Sequence, residues 1–415
     1  MRNSNTEWTR LDNAAKLYAS VMGRRDPKVF RFACQLTEEV NPDFLQIALD
    51  EVLENFPIYH SVLRRGLFWY FLEPSPRLSP KVHPEDRPPC SPLYARGERR
   101  LLFDVSWYRK RINLEVCHVL TDGTGALQFL RTLVARYLTL CHPELGDIVI
   151  LDYGASPTEK SIDSFAKYYQ ETASQAQERP ISAAHVKGAR LPGIRVVEGE
   201  MDVKRVLARV KELHSSMTAY LCVQLLRAIA GVLPVRELRK PVTLTVPVNL
   251  RNFFASESAR NFFAVFHVSH RFTSGNDPEE AVLQSVQSCF ERELTQEKMA
   301  QRMNRMSALE HRSFIRILPL PIKDIGLSIA NQYSRRMTSG GISNLGRITM
   351  PEKLAPYIHS FDVFMSTDHI QLCACSYQDR LVLSLTAPFV GGDIQKGFFR
   401  SFAALDPDIV ISSND

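Results

Sequence analysis

One segment of the chain shows two hydrophobic periodicities in succession. Arg111–Cys117 alternates between apolar residues on one face and polar residues on the other, which predicts a half-buried strand. The strand runs into His118, and the chain then passes through Asp122 and Gly123. Apolar residues follow at spacings of three and four: Ala126, Phe129, Leu130, Leu133, Val134, Tyr137 and Leu138. This second pattern predicts a helix with one broad buried face, so a histidine lies between a strand and a helix.

The same two periodicities recur throughout both halves of the chain. Further strands are predicted at 29–34, 68–72, 101–105, 196–201, 242–251, 262–268, 361–365, 371–376 and 381–385. Further helices are predicted near 14–18 and at 42–53, 163–177, 203–213, 218–230, 278–293 and 394–404. Proline and glycine between 178 and 193 predict a linker. We therefore expect an α/β protein with two related lobes, residues 1–185 and 186–415, each with a mixed sheet flanked by helices.

Composition narrows the class of protein without naming it. The 415 residues are 45% hydrophobic and 23% charged, which is typical of a globular protein. The net charge of +6 is mild, and no basic tract indicates a nucleic-acid partner. No apolar run approaches the roughly 20 residues of a transmembrane helix, and the polar start lacks the apolar core of a signal peptide. We expect no transmembrane segment and a cytoplasmic location.

The eight cysteines predict neither disulfides nor a metal site. They are scattered along the chain, and the closest pair, Cys373 and Cys375, alternates with Ala374 on a predicted strand. Both thiols would then face one side of that strand, and no second pair stands at zinc-binding spacing. We expect reduced thiols and no bound metal.

His118 and Asp122 allow two interpretations. Histidine is the usual residue for moving a proton near neutral pH, and an aspartate four positions later could orient the ring or anchor its loop. Alternatively, His118 simply ends a strand and Asp122 caps the next helix. The residues alone leave both interpretations open.

Residues His118 to Gly123 spell H-x-x-x-D-G, which resembles the motif of the CoA-dependent acyltransferase superfamily. That group contains chloramphenicol acetyltransferase, condensation domains of peptide synthetases, plant BAHD acyltransferases and mycobacterial polyketide-associated acyltransferases. The resemblance implies two chloramphenicol-acetyltransferase-like lobes with a tunnel at their interface, and His118 as the general base. Condensation domains usually have two adjacent histidines, and Cys117 occupies the first of these places. The D-F-G-W-G element of the plant group is missing, so the chain is most similar to bacterial alcohol acetyltransferases and polyketide-associated acyltransferases.

Two segments of the second half also resemble elements of this superfamily. Pro247–Arg251 is similar to P-x-N-x-R, which implies a structural ion pair between Arg251 and Asp122 beside Gly123. A guanidinium can hold a carboxylate through two parallel bonds. The segment from Ser343 to Gly346 is similar to S-N-x-G, which implies that Ser343 and Asn344 steady a tetrahedral oxyanion. A plain turn is the alternative, because Ser, Asn and Gly favour turns.

The resemblance implies transfer of an acyl group, acetyl or another short or medium chain, to a hydroxyl or amine of a small molecule. The donor would be an acyl-CoA co-substrate or the pantetheine thioester of an acyl carrier protein, with no covalent intermediate and no bound cofactor. We expect a monomeric enzyme of secondary metabolism. The alternatives are a condensation-type or carrier-protein-binding relative without turnover, and a hydrolase. A serine hydrolase is disfavoured because no G-x-S-x-G elbow is present, and no phosphate-binding glycine loop is found.

Overall fold

The computed structural model describes residues 8–146, 148, 162–170, 181–273, 275–311, 315 and 317–414. The strands are β1 Thr9–Arg10, β2 Val29–Leu36, β3 Ser61–Arg65, β4 Tyr70–Pro74, β5 His83–Pro84, β6 Phe103–Tyr108, β7 Arg111–Cys117, β8 Arg190–Asp202, β9 Val242–Asn249, β10 Phe263–His270, β11 Gly340–Ile348, β12 Ile358–Met365, β13 Ile370–Tyr377, β14 Arg380–Phe389 and β15 Val410–Ser413. The helices are α1 Asn13–Val21, α2 Pro42–Glu54, α3 Gly123–Cys141, α4 Ser164–Tyr168, α5 Val203–Glu212, α6 Met217–Ala230, α7 Glu279–Glu293, α8 Gln296–His311, α9 Leu320–Arg335 and α10 Asp393–Ala403.

A five-stranded sheet in the order β12-β2-β7-β6-β5 carries the histidine. Strand β2 lies between β12 and β7 and is almost wholly buried. It pairs antiparallel with β7, with Phe32 opposite Leu114. The hairpin from β6 to β7 turns at Arg109, whose φ of 50° allows the tight reversal. Helices α2 and α3 bury their apolar faces in the same core as this sheet.

A seven-stranded mixed sheet in the order β10-β9-β11-β13-β14-β8-β15 forms the second half. Strand β11 is parallel to both β9 and β13, whereas the other pairs are antiparallel. Strand β13 separates two hydrophobic cores, because Cys373 and Cys375 point into the first core and Leu372 and Ala374 into the second. The two thiols therefore share one face of the strand, as predicted.

One strand of the second half of the chain joins the sheet of the first half. Strand β12 comes from the second half of the sequence but completes the five-stranded sheet of the first half, with Phe361 opposite Cys34. A small third sheet, in the order β1-β4-β3, lies beside these two. Because β12 crosses over, the two halves share the first hydrophobic core. The boundary at residue 185 itself stays a prediction.

The predicted α/β class with mixed sheets and flanking helices is confirmed, and several local details differ. The predicted linker is shorter than expected, because β8 already begins at Arg190. Of the helix predicted at 163–177, the structure describes Ser164–Tyr168, and residues 171–177 lie outside the described residues. Helices α8 and α9 lie where the sequence pattern predicts no element. On α9, exposed apolar residues obscure the hydrophobic periodicity. None of the helices that the structure describes has the length and apolar character needed to cross a membrane.

Candidate active site

His118 is fixed at the end of β7 by its main chain and by ring contacts. Its N–H donates to the carbonyl of Lys28 (2.7 Å), and its carbonyl accepts from the side-chain amide of Asn261 (3.1 Å). The imidazole lies against Tyr18 of α1 and Phe30 of β2, with ring centroids 4.8 Å and 4.5 Å away. Contacts from three separate parts of the chain therefore set the position of the ring.

Burial keeps this imidazole uncharged. It lowers the pKa of His118 to about 4, and the positive charge of Lys28 acts in the same direction. The negative charge of Asp122 opposes this shift without cancelling it. Nδ1 is buried and has no hydrogen-bond partner among the residues that the structure describes. At neutral pH the ring is therefore a neutral group that can accept a proton.

Asp122 combines the two structural roles that the sequence suggested for it. Its Oδ1 accepts from the N–H of Gly125 (3.1 Å), so the carboxylate caps the start of α3. Its Oδ2 accepts from Nη1 of Arg251 (2.8 Å) and from the N–H of Phe262 (2.9 Å). Both carboxylate oxygens are thus engaged with groups other than the ring of His118. Asp122 anchors the loop that follows the histidine.

The predicted ion pair between Arg251 and Asp122 is present, but its geometry is not the expected pair of parallel bonds. Only Nη1 reaches the carboxylate, and it also donates to Oδ1 of Asn249 (3.2 Å). Nη2 donates to the carbonyls of Ser258 and Arg260, each at 2.7 Å, and Nε also donates to Ser258. The guanidinium therefore holds together the loop between β9 and β10 and links that loop to Asp122 at the start of α3.

Two backbone segments meet so closely at the start of α3 that only glycine fits. A Cβ added to Gly125 would lie 2.2 Å from Oγ1 of Thr121 and 2.3 Å from the carbonyl oxygen of Ala259. The hydroxyl of Thr121 donates to that same carbonyl. At Gly123 the nearest atom would be a methyl of Leu345 at 3.2 Å, which is the end of a flexible side chain. Gly125 and Thr121 were not singled out from the sequence, although the second glycine of D-G-T-G was a visible signal.

A buried polar network behind the histidine was also missed. Asn261 donates to Oδ2 of Asp12 (3.2 Å) as well as to the carbonyl of His118. Asp12 caps α1 by accepting from the N–H of Ala15 (2.8 Å), and Arg260 lies 3.6 Å from its carboxylate. Burial raises the pKa of Asp12 to about 6, which Arg260 opposes. Asp12 before a helical pattern was a readable cap signal, whereas Asn261 gave none.

Ser343 and Asn344 lie in strand β11, not in an isolated turn. Asn344 Nδ2 donates to Oγ1 of Thr218 (3.0 Å), and its Oδ1 accepts from the N–H of Gly346 (2.9 Å). Gly346 has a φ of +73°, at a bulge in the pairing with β13. The Asn344 side chain therefore stabilises the bulge. Leu345, the next residue, reaches the start of α3, which brings this strand to the histidine loop.

Four of the predicted site residues, His118, Asp122, Gly123 and Arg251, therefore lie in the segment that leads into α3 or against it. Asp122 and Arg251 are in direct contact, Gly123 lies beside strand β11, and His118 is four residues before the aspartate. In the described ranges, no group of three or more His, Cys, Asp or Glu side chains is arranged to hold a metal ion.

Comparison with known proteins relates this arrangement to a known fold. No protein-family model and no curated protein matches the sequence. Among solved structures, the trichothecene 15-O-acetyltransferase TRI3 from Fusarium sporotrichioides matches with a TM-score of 0.60 and 11% identity, over 96% of this chain and 94% of that protein. TRI101 of F. graminearum, in complex with coenzyme A and T-2 mycotoxin, matches with a TM-score of 0.63 and 10% identity, over 94% and 96%. The first condensation domain of the CDA synthetase matches with a TM-score of 0.61 and 13% identity, over 98% and 97%.

The chain therefore has the two-lobed, chloramphenicol-acetyltransferase-like fold found in acetyltransferases and in condensation domains. Coverage is nearly complete in both directions, so the likeness extends to the whole architecture and not to one lobe. The resemblance suggested by the H-x-x-x-D-G motif is confirmed at the level of the fold.

Proposed function

We propose that this protein transfers an acyl group from a thioester to a hydroxyl or amine, with His118 as the general base. The observation that carries the proposal is the state of that ring. It is an uncharged imidazole, held between α1 and β2, whose Nδ1 makes no hydrogen bond within the described structure. A general base needs an uncharged ring and a fixed position, and His118 has both.

The chemistry needs no covalent intermediate on the protein. His118 takes the proton of the acceptor as its oxygen or nitrogen attacks the thioester carbonyl. The tetrahedral intermediate then expels the thiolate as the C–S bond breaks, and the imidazolium returns the proton to sulfur. Burial disfavours the imidazolium, and the negative charge of Asp122 offsets part of this cost. Asp122 does not relay the proton, because both of its oxygens are engaged elsewhere.

The donor is proposed to be acyl-CoA or an acyl carrier protein, entering a tunnel between the two lobes. TRI101, whose fold this chain shares, was solved in complex with coenzyme A and a mycotoxin, and this supports a CoA thioester and a small-molecule acceptor. We assign stabilisation of the oxyanion to the hydroxyl of Ser343. Asn344 supports this strand, since its amide is engaged with Thr218. Holding donor and acceptor together would supply much of the rate enhancement.

The test measures thiol release from acetyl-CoA in the presence of a mixed library of alcohols and amines, with products identified by mass spectrometry. His118→Ala should lower the rate by roughly 10²- to 10⁴-fold. His267→Ala is the matched control, because His267 is also half-buried and burial also lowers its pKa, yet it lies on β10 away from the site. The control should keep its activity. Full activity of the His118 variant contradicts the general-base role, and no product with any acceptor favours a relative that binds without turnover.

A further inference from the structure

A charged cavity lies between the two halves of the chain, at the carboxyl end of α1. Its volume is about 360 Å³. The residues that line it come from the loop after α1, from the start of β8, from the end of α9 and from the loop after β12: Val21, Gly23, Arg24, Arg25, Asp26, Arg190, Arg335 and Asp368. Six of these eight residues are charged, so the cavity is suited to an ionic group and not to an apolar chain.

Positive charge prevails in this cavity. Four arginines line it against two aspartates, and both carboxylates already have cationic partners. Asp26 pairs with Lys28, and Asp368 pairs with Arg335. Arg24 and Arg25 are exposed and form no ion pair with any residue in the described part of the chain. The cavity therefore has guanidinium groups without a carboxylate to neutralise them.

The pKa of the neighbouring His369 reflects the same excess of positive charge. His369 follows Asp368 directly, and burial lowers its pKa to about 4. The nearby cations Arg335 and Arg190 lower that pKa further. An anion bound in the cavity would oppose this effect, because its charge would favour the imidazolium.

The cavity is close to the catalytic imidazole. Tyr18, which contacts the ring of His118, lies on α1 only one helical turn before Val21 of the cavity wall. The loop from the cavity to β2 includes Lys28, whose carbonyl accepts from the N–H of His118. Asp26 of the cavity wall also contributes to the electrostatic environment of that ring. The end of α1 and the loop before β2 therefore line the cavity and also supply contacts to His118.

We propose that this cavity binds an anionic group, a carboxylate or phosphate, of the acceptor, so that the acyl-accepting substrate is an anionic alcohol or amine. Guanidinium groups suit both anions, since their donors match two oxygens at once. The inference rests on the proposed function. The phosphates of CoA carry the same chemistry, and the affinity for acetyl-CoA and 3′,5′-ADP distinguishes this source from the acceptor.

The experiment uses pairs of acceptors that differ in charge but little in shape: 6-hydroxyhexanoate with 6-hydroxyhexanamide, and β-alanine with β-alaninamide. Binding is measured by calorimetry, and turnover with acetyl-CoA is measured as kcat/KM. The variant R24Q/R25Q removes the two unpaired guanidinium groups from exposed positions. The variant R77Q/R96Q removes two exposed arginines outside the cavity and serves as the matched control.

For the wild-type protein and the control, at least one anionic acceptor should bind at least tenfold more tightly than its amide. That preference should fall at least fivefold in R24Q/R25Q, with the KM for acetyl-CoA unchanged. The inference is overturned if no anion binds in preference to its amide, or if the preference survives in R24Q/R25Q. It is also overturned if that variant loses affinity for acetyl-CoA or 3′,5′-ADP instead, which would assign the cavity to the donor. Charge-selective binding without any turnover would refute the proposed function and leave the anion site standing.

Discussion

Replacing Gly125 by alanine tests the contact that joins the histidine loop to the second half of the chain. An added Cβ would lie 2.3 Å from the carbonyl oxygen of Ala259 and 2.2 Å from Oγ1 of Thr121. The carbonyl oxygen of Ala259 belongs to the backbone, so the loop that contains it must move by roughly 1 Å. This movement breaks the hydrogen bond from Thr121 to that carbonyl.

The size of the effect follows from two destabilising contributions and one stabilising contribution. Overpacking costs about 1–3 kcal/mol, and the broken hydrogen bond costs about 1 kcal/mol. Alanine gains at most about 1 kcal/mol over glycine in a helix. We therefore expect Gly125→Ala to lower the free energy of unfolding by about 2 kcal/mol. Gly123→Ala, two residues earlier, meets only a leucine methyl at 3.2 Å and should change the free energy of unfolding by less than about 0.5 kcal/mol.

Urea unfolding followed by tryptophan fluorescence measures both variants, and the midpoint should fall only for Gly125→Ala. The double variant T121A/G125A separates the two close contacts. It removes the hydroxyl but leaves the Ala259 carbonyl, so stability should not return to the wild-type value. Equal stability of the two single variants would refute the close approach of the backbones. Recovery in the double variant would show that the hydroxyl, and not the carbonyl, sets the limit.

Three further predictions concern the same region. Arg251→Met should lower the free energy of unfolding by about 3 kcal/mol, because it leaves the buried Asp122 without its cationic partner and two loop carbonyls without their donor. Arg251→Lys should recover only part of this stability. Urea midpoints measure both variants, and a lysine variant as stable as wild type contradicts the multiple contacts. Burial lowers the pKa of His118 to about 4, so the ring stays neutral as the pH falls through 6.5. We therefore expect kcat/KM to remain flat from pH 8 to about 5 and to decline near pH 4. A decline centred at pH 6.5 would contradict the buried environment of the ring. Ser343→Ala should lower kcat by roughly 10²-fold. Asn344→Ala should lower the free energy of unfolding by about 1 kcal/mol and leave kcat nearly unchanged. The reverse pattern in the same kinetic and unfolding assays would exchange the roles of the two residues.

The sequence alone determined the local features of this protein. The strand before His118, the helix after it and the cap at Asp122 depend on residues within a few positions of one another, and hydrophobic periodicity reports such relations directly. The α/β class followed from the repetition of these patterns. The motif suggested a partner for Asp122 in Arg251, and the ion pair is present.

Only the tertiary structure decided which hydrogen bonds and strand pairs form between segments that are distant in the sequence. Arg251 makes one bond to Asp122 instead of two parallel ones, because its other donors satisfy carbonyls of its own loop. Strand β12 crosses into the sheet of the first half, and no local pattern distinguishes it from a strand that stays with its neighbours.

The need for glycine at position 125 comes from Ala259, more than a hundred residues away in the chain. The arginines of the cavity likewise come from three separate segments and meet only when the two halves pack together. Periodicity and capping depend on neighbours in sequence, whereas close backbone contacts and charged cavities depend on neighbours in space. For this reason the sequence indicated the position of His118, whereas its surroundings depend on the tertiary structure.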